Sequence, residues 1–452
     1  MSSLSVMSVA KFGGTSVANF DSMTACANIV TADSNIKVIV LSASAGVTNY
    51  LVELANGCNN ERRAEILNTI HNIQFNIIEK LAQPESVTEK IKAILQHIAN
   101  LAESASLSTS MALADEIICQ GEMMSTHIFT QLLKEKNIPA TWFDVRDVIA
   151  TNSHYGKAIP NDEKTIQQAS IKLKPLLDNG NIVITQGFIG RDDDGKTTTL
   201  GRGGSDYSAA LLAEVLNAND VLIWTDVPGI YTTDPRIVAD AKRIDSISFN
   251  EASEMATFGA KVLHPATLLP AVRSNIPVFV GSSKTPEQGG TWVTQNPTLR
   301  PTVRALALRR NQILLTLSSL SMLHSHGFLA NVFGILAKHQ ISVDVVTTSE
   351  VSIAITLDKT GSASSGSDIL SDALLDELRT LCKVQVEQDL SLVAIIGNNL
   401  HLQAGIAKQL FETLSPYSIR LIGYGASTNN VCTLVRNQDA DEIIRALHKA
   451  LF

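Results

Sequence analysis

The chain has 452 residues, 45% of them hydrophobic, with a formal net charge of −8 and an isoelectric point near 5.7. Such a length suits about three domains with packed cores, and an acidic balance without clustered lysine and arginine argues against a phosphate-tracking nucleic-acid binder. Five cysteines, Cys26, Cys58, Cys119, Cys382 and Cys432, are far apart and form no C-x-x-C pair, so neither a disulfide framework nor a zinc site is expected. No basic leader and no run of 18 uncharged apolar residues occurs, so a cytoplasmic protein with no membrane partner is expected.

Five short apolar runs punctuate the first 285 residues, at 6–10, 36–41, 181–185, 221–224 and 277–280. Runs that do not alternate apolar with polar suit strands buried on both faces, as in a mostly parallel sheet sandwiched by helices. The first run ends in Lys11-Phe12-Gly13-Gly14-Thr15-Ser16. Glycines let backbone N–H groups approach an anion, Thr15 and Ser16 suit a helix cap, and Lys11 adds a mobile positive charge, so the stretch reads as a phosphate cradle. It follows neither the Walker A order nor the dinucleotide pattern G-x-G-x-x-G. The other runs end in Ser42-Ala43-Ser44-Ala45-Gly46, Gln186-Gly187-Phe188, Thr225-Asp226 and Gly281-Ser282-Ser283. Open α/β sheets bind ligands beyond the carboxyl ends of their strands, which gathers this polar chemistry on one edge.

Between the second and third runs Ile66, Ile70, Ile73, Ile77 and Leu81 recur every three or four residues and form the apolar face of a helix. A second helix is expected over 91–102. A third, from about 111 to 136, carries Glu116 and Glu122 around Gly121. A glutamate on a long helix is ordinarily solvated, and only the company of other motifs raises Glu122 to a ligand residue.

The next stretch, Thr197-Thr198-Thr199-Leu200-Gly201-Arg202-Gly203-Gly204-Ser205-Asp206, combines hydroxyls, glycines, an arginine and an aspartate. Arg202 offers a planar fork for a carboxylate, and Asp206 could orient a lysine or hold Mg²⁺. A turn-rich loop over 224–236 follows, with Thr225, Asp226, Tyr231 and Arg236, and suits wrapping a nucleotide. Phe258-Gly259-Ala260-Lys261-Val262-Leu263-His264-Pro265 then supplies a second lysine.

Two prolines in 295–302 mark a domain boundary. Beyond it the chain repeats at an offset of 78: Gly327 matches Gly405, Phe333 Phe411, Leu336 Leu414, Ile341 Ile419 and Ser349 Ser427. Each copy reads as strand, loop, helix, strand, strand and further helix, with a Gly/Ser segment at 361–367 between them. Paired sensor modules fit this better than a second catalytic core. Only the first copy offers Asp344 and Glu350; the second has Ile422 and Thr428 there. Two carboxylates favour a ligand with two cationic groups.

The motifs K-F-G-G-T-S-V, G-R-G-G-S-D, W-T-D-V-P-G-I-Y-T-T-D-P-R and F-G-A-K-V-L-H-P resemble those of the aspartate kinase family, and over nearly the whole chain the likeness is to its lysine-sensitive monofunctional bacterial type. The resemblance implies an amino-acid-kinase fold over 1–297 and two ACT-type α+β domains over 305–389 and 390–452. It implies transfer of the γ-phosphoryl group of ATP, with Mg²⁺, to the β-carboxylate of L-aspartate, in lysine biosynthesis. The family's roles fall on Lys11, Asp206 and Lys261 for catalysis, and on Lys11, Gly13, Gly14, Thr225, Asp226, Tyr231, Arg236 and Lys261 for ATP. Ser42, Thr48, Glu122, Arg202, Gly203 and Gly204 receive the substrate. Feedback by L-lysine falls on Met322, Ser325, Phe328, Leu329, Ser342, Val343, Asp344, Ser349 and Glu350, in at least a homodimer through the ACT domains, with a tetramer as the larger alternative. No metal held by protein ligands alone is expected.

Overall fold

The computed structural model describes residues 6–260, 263, 268–323, 326–358 and 369–452. Its contacts divide the chain into two compact units: the first holds the residues up to 230, Arg243–Phe249 and the stretch ending at 298, and the second holds Tyr231–Lys242, a stretch beginning at Asn250, and Leu299–Phe452.

The first unit is built on strands β1 (Ser8–Phe12), β2 (Ile36–Leu41), β3 (Ala140–Phe143), β4 (Ile182–Gln186), β7 (Asp220–Thr225), β8 (Ser246–Ser248), β9 (Val278–Ser282) and β10 (Gly290–Thr294), with a separate hairpin of β5 (Ile189–Arg191) and β6 (Thr197–Thr199). The eight-stranded sheet has the order β3-β4-β2-β1-β7-β9-β10-β8. All the strands from β3 to β9 in that order run parallel, and β10 turns antiparallel to β9. The five apolar runs are the five adjacent central strands, and β1 is buried at every position, as expected of a sheet covered on both faces.

Helices α1 (Phe20–Ala32), α2 (Val47–Ala55), α3 (Asn60–Ile78), α4 (Glu85–Leu107), α5 (Met111–Ile118), α6 (Gln120–Glu135), α7 (Asp162–Gln168), α8 (Lys174–Asp178) and α9 (Gly204–Leu216) belong to the same unit. The apolar face read from Ile66, Ile70 and Ile77 is in the core, with Phe12, Ile39, Leu51 and Phe129. Each such side chain contributes roughly 1.5–3 kcal/mol by leaving water. The single helix expected from 111 to 136 is two, divided at Cys119, which caps one and opens the next.

The second unit carries an antiparallel sheet of β11 (Val303–Ser318), β12 (Val346–Thr348), β13 (Ser352–Asp358), β14 (Lys383–Gly397), β15 (Ile419–Tyr424) and β16 (Asn430–Arg436), in the order β12-β13-β11-β14-β16-β15. The repeat is physical. Gly327 and Gly405, at φ 84° and 89°, cap the helices Phe328–Lys338 and Ile406–Leu414, and Leu336 and Leu414 are buried in separate cores. Asn311 and Asp389, again 78 apart, both take positive φ where the ladder between β11 and β14 shifts register. Both long strands feed both cores: Leu306 and Val393 pack with the second repeat, Ile313 and Val384 with the first.

Candidate active site

β1 delivers Lys11 at the carboxyl end of the sheet, where its Nζ lies 2.7 Å from Asp206 Oδ1. Asp206 stands in the first turn of α9, so the cradle lysine is held by the second glycine-rich motif, 195 residues away in sequence. Gly13 continues extended and donates its N–H to the Trp224 carbonyl at 3.1 Å. A Cβ at Gly14 would meet the Ala43 carbonyl oxygen at 2.9 Å, so only glycine lets the two strand ends come this close.

Glu122 opens α6 and is 3% exposed. Its Oε1 accepts the Ala43 N–H at 3.1 Å, while Oε2 is buried with no hydrogen-bond partner among the described residues. Burial pushes its carboxyl from 4.5 up to about 8, opposed by the Ala43 N–H and by Lys11. The neighbouring glycine makes this possible: a side chain at Gly121 would stand 2.7 Å from the Ala43 Cβ and hold the helix off the turn. Ser42 is fixed twice, its carbonyl accepting from Ser125 Oγ at 2.8 Å and its hydroxyl donating to Ser205 Oγ at 3.1 Å.

Arg202 lies in the turn between β6 and α9, with Gly201 and Gly203 on either side at φ 77° and 75°. It is exposed and makes no ion pair among the described residues. Lys11, Ser42, Glu122, Arg202, Ser205 and Asp206 border one cavity of about 410 Å³, together with Thr48 from α2. Lys11 and Asp206 neutralise each other there. What remains is one buried carboxylate oxygen and one unpaired guanidinium, which together match the two charged groups of an α-amino acid.

Phe188 also lines the cavity and was not a candidate from sequence. It holds φ +74°, a conformation rare for a bulky side chain, and its N–H donates to Ser208 Oγ at 3.0 Å. A phenylalanine after a strand carries no signal of that kind; only the backbone reveals it.

The residues expected to hold a nucleotide divide. Thr225 and Asp226 stand at the end of β7 in the first unit, hydrogen-bonded to each other at 3.2 Å. Tyr231 and Arg236 belong to the second unit, where the Thr232 carbonyl accepts the Leu306 N–H at 2.7 Å and Val238 enters the core of the second repeat. Arg236 Nη2 pairs with Asp234 at 2.6 Å. Lys261 lies outside the described residues, as does Ser325 of the lysine set.

In the first repeat, Met322 ends a short turn, Phe328 is buried at the start of its helix, and Leu329 is 44% exposed. Ser342, Ser349 and Glu350 are exposed and Val343 half-buried. Asp344 pairs with Arg309 at 3.1 Å; burial pushes its carboxyl upward and the guanidinium opposes. Among the described residues no group of three or more His, Cys, Asp or Glu is placed to hold a metal ion, and no helix is long and apolar enough to cross a membrane.

Comparison with known proteins places these features in context. Residues 7–282 match the amino acid kinase family and 393–451 an ACT domain. The chain is 59% identical to the lysine-sensitive aspartokinase 3 of Escherichia coli K12, covering 99% of this chain and all of that one, and 33% identical to the chloroplastic aspartokinase 3 of Arabidopsis thaliana, covering 98% and 81%. The crystal structure of E. coli aspartokinase III in complex with aspartate and ADP, in its R-state, superposes with a TM-score of 0.90 at 58% identity, over 99% of this chain and 100% of that one. The same enzyme with lysine and aspartate, in its T-state, gives 0.85 at 58% identity over 99% of each.

Proposed function

The chain belongs to the amino acid kinase family and, within it, to the aspartokinases, and on that footing we propose that it transfers the γ-phosphoryl group of ATP to the β-carboxylate of L-aspartate, giving 4-phospho-L-aspartate for lysine biosynthesis in the cytoplasm. One observation carries the residue assignment: the free Oε2 of Glu122 and the unpaired guanidinium of Arg202 border the same cavity as Lys11.

Glu122 takes the α-ammonium group and Arg202 the α-carboxylate, with hydroxyls from Ser42 and Thr48 and close backbone approach at Gly203 and Gly204. The β-carboxylate is left free to attack in line. Its reference pKa of ~3.9 keeps it ionised at neutral pH, so no general base is required. Catalysis is then positioning and charge neutralisation. Lys11, aimed by Asp206, meets the phosphoryl oxygens beside the backbone of Gly13 and Gly14. Lys261, Thr225, Asp226, Tyr231 and Arg236 keep their nucleotide roles on the strength of their motifs. Mg²⁺ would neutralise phosphate charge; with no acidic cluster of three among the described residues, it fits as a companion of the nucleotide, with Asp206 as the acid at hand.

Feedback is assigned to L-lysine at the first repeat, on Met322, Ser325, Phe328, Leu329, Ser342, Val343, Asp344, Ser349 and Glu350, completed across a homodimer. Trapping the acyl phosphate with hydroxylamine tests the whole reading. Aspartate should be the preferred acceptor over glutamate, and lysine should inhibit more strongly than threonine or methionine. Faster turnover of glutamate would move the protein to another amino-acid kinase.

A further inference from the structure

Asp115, in the middle of α5, has no place in the chemistry above, yet it is 1% exposed. A carboxylate so placed is costly unless donors meet its oxygens. Every group that reaches it is a donor. The Gly156 N–H approaches Oδ1 at 3.1 Å and Oδ2 at 2.9 Å, the Thr199 N–H reaches Oδ2 at 2.8 Å, and the Thr199 hydroxyl reaches Oδ1 at 2.8 Å. Burial pushes the carboxyl upward and these hydrogen bonds oppose it.

The three donor groups come from two segments, the loop around 156 and the end of β6. Thr199 ends β6, and its carbonyl accepts the Ala158 N–H at 2.8 Å, so the carboxylate ties the loop around 156 to the strand end. Gly201 rests on this tie: a Cβ there would stand 3.2 Å from the Gly156 carbonyl oxygen. Between Thr199 and α9 there is little slack. Leu200 donates its N–H to the Phe188 carbonyl at 2.8 Å, and Gly204 donates to Gly201 at 3.0 Å. Arg202 is the residue carried by this braced turn.

We propose that Asp115 is the positioning residue for Arg202: its buried carboxylate fixes the turn that presents the guanidinium to the substrate's α-carboxylate. The proposal rests on the reading of Arg202 given above. An acceptor-only group is required, because an amide of the same size would turn one oxygen into a donor facing a donor.

The test is a double-mutant cycle in the full chain, with KM measured for aspartate and for ATP in Asp115→Asn, Arg202→Ala and the double variant. Each single change is expected to raise the KM for aspartate by ~10-fold or more and leave that for ATP within about 2-fold, since misplacing a binding group by about an ångström is enough for such a loss. In the Arg202→Ala background, Asp115→Asn should add less than about 2-fold, because its effect passes through the guanidinium. Full multiplication in the double variant, or a parallel rise in both KM values, would overturn the proposal. An unchanged aspartate KM in Arg202→Ala removes the substrate role of Arg202 and this inference with it. A raised value there with none in Asp115→Asn removes only the positioning role. Should Asp115→Asn fail to fold, Thr199→Val deletes one donor at constant shape; it should raise the aspartate KM a few-fold, and no change would refute the tie.

Discussion

The cavity of the first unit and the acidic turn of the second differ in how their charges are held. In the cavity the buried Lys11 and Glu122 are each held by a partner from the same unit, Lys11 by the half-buried Asp206 and Glu122 through one oxygen by the buried Ala43. In the turn, β12 is exposed at all three residues and forms one edge of its sheet, and Leu320 and Leu329 are 84% and 44% exposed. A site held by partners within its own unit can be broken one residue at a time, whereas an exposed sheet edge leaves backbone groups open to another strand. Catalysis should therefore fail at single residues, and lysine control should depend on assembly as well as on contacts.

The sharpest break of this comparison is Lys11→Ala. Removing a preorganised charge from a phosphoryl site should lower kcat by at least ~10²-fold while circular dichroism and the melting temperature stay near those of the parent. Turnover near the parental value in folded protein would show that the pair with Asp206 serves stability alone.

Glu122→Gln comes next, with an expected rise of ~10-fold or more in the KM for aspartate and little change for ATP. Its pH dependence carries more information. The carboxylate must be ionised to pair with an ammonium group, so kcat/KM for aspartate should rise with pH and level off above about 8, where the folded carboxyl has titrated. Stability runs the other way. A carboxyl raised from 4.5 to about 8 binds its proton more tightly in the folded state, so its contribution is full below 4.5 and is lost as pH rises to about 8. Glu122→Gln should flatten both profiles. A parental profile that is flat from pH 6 to 9 would contradict the burial of this group.

The smallest expected effects lie in the second unit. Asp344→Ala and Glu350→Ala should weaken lysine inhibition several-fold with the aspartate KM unchanged, and Asp344→Ala removes one of the two carboxylates that Arg309 meets, leaving Asp358. Dilution sharpens the contrast. Sedimentation and activity measured together should show lysine sensitivity lost when the chain dissociates; inhibition that persists in a monomer would mean that the turn binds lysine without a second copy.

Much of this organisation was legible beforehand. Buried parallel strands leave apolar runs, and those runs located β1, β2, β4, β7 and β9, while the offset of 78 located both repeats. The antiparallel β10, Gly290-Thr291-Trp292-Val293-Thr294, mixes polar with apolar residues and half-exposed with buried positions, and left no comparable trace. Asp115 carried no signal in the sequence because its partners are 41 and 84 residues distant. The break at Cys119 was hidden because both flanking helices share one continuous composition.

By itself the sequence determined the residue types and their chain order: a lysine before two glycines, an arginine among three, and two acids in one repeat only. These follow from local physics, since glycine permits close backbone approach and apolar spacing reports the period of an element. Tertiary structure decided which of these groups meet. It paired Lys11 with Asp206, left Glu122 Oε2 open, drew 231–242 into the second unit and ran β11 and β14 through both repeat cores. Burial and hydrogen-bond satisfaction are properties of packing between segments far apart in the chain, and no local pattern carries them.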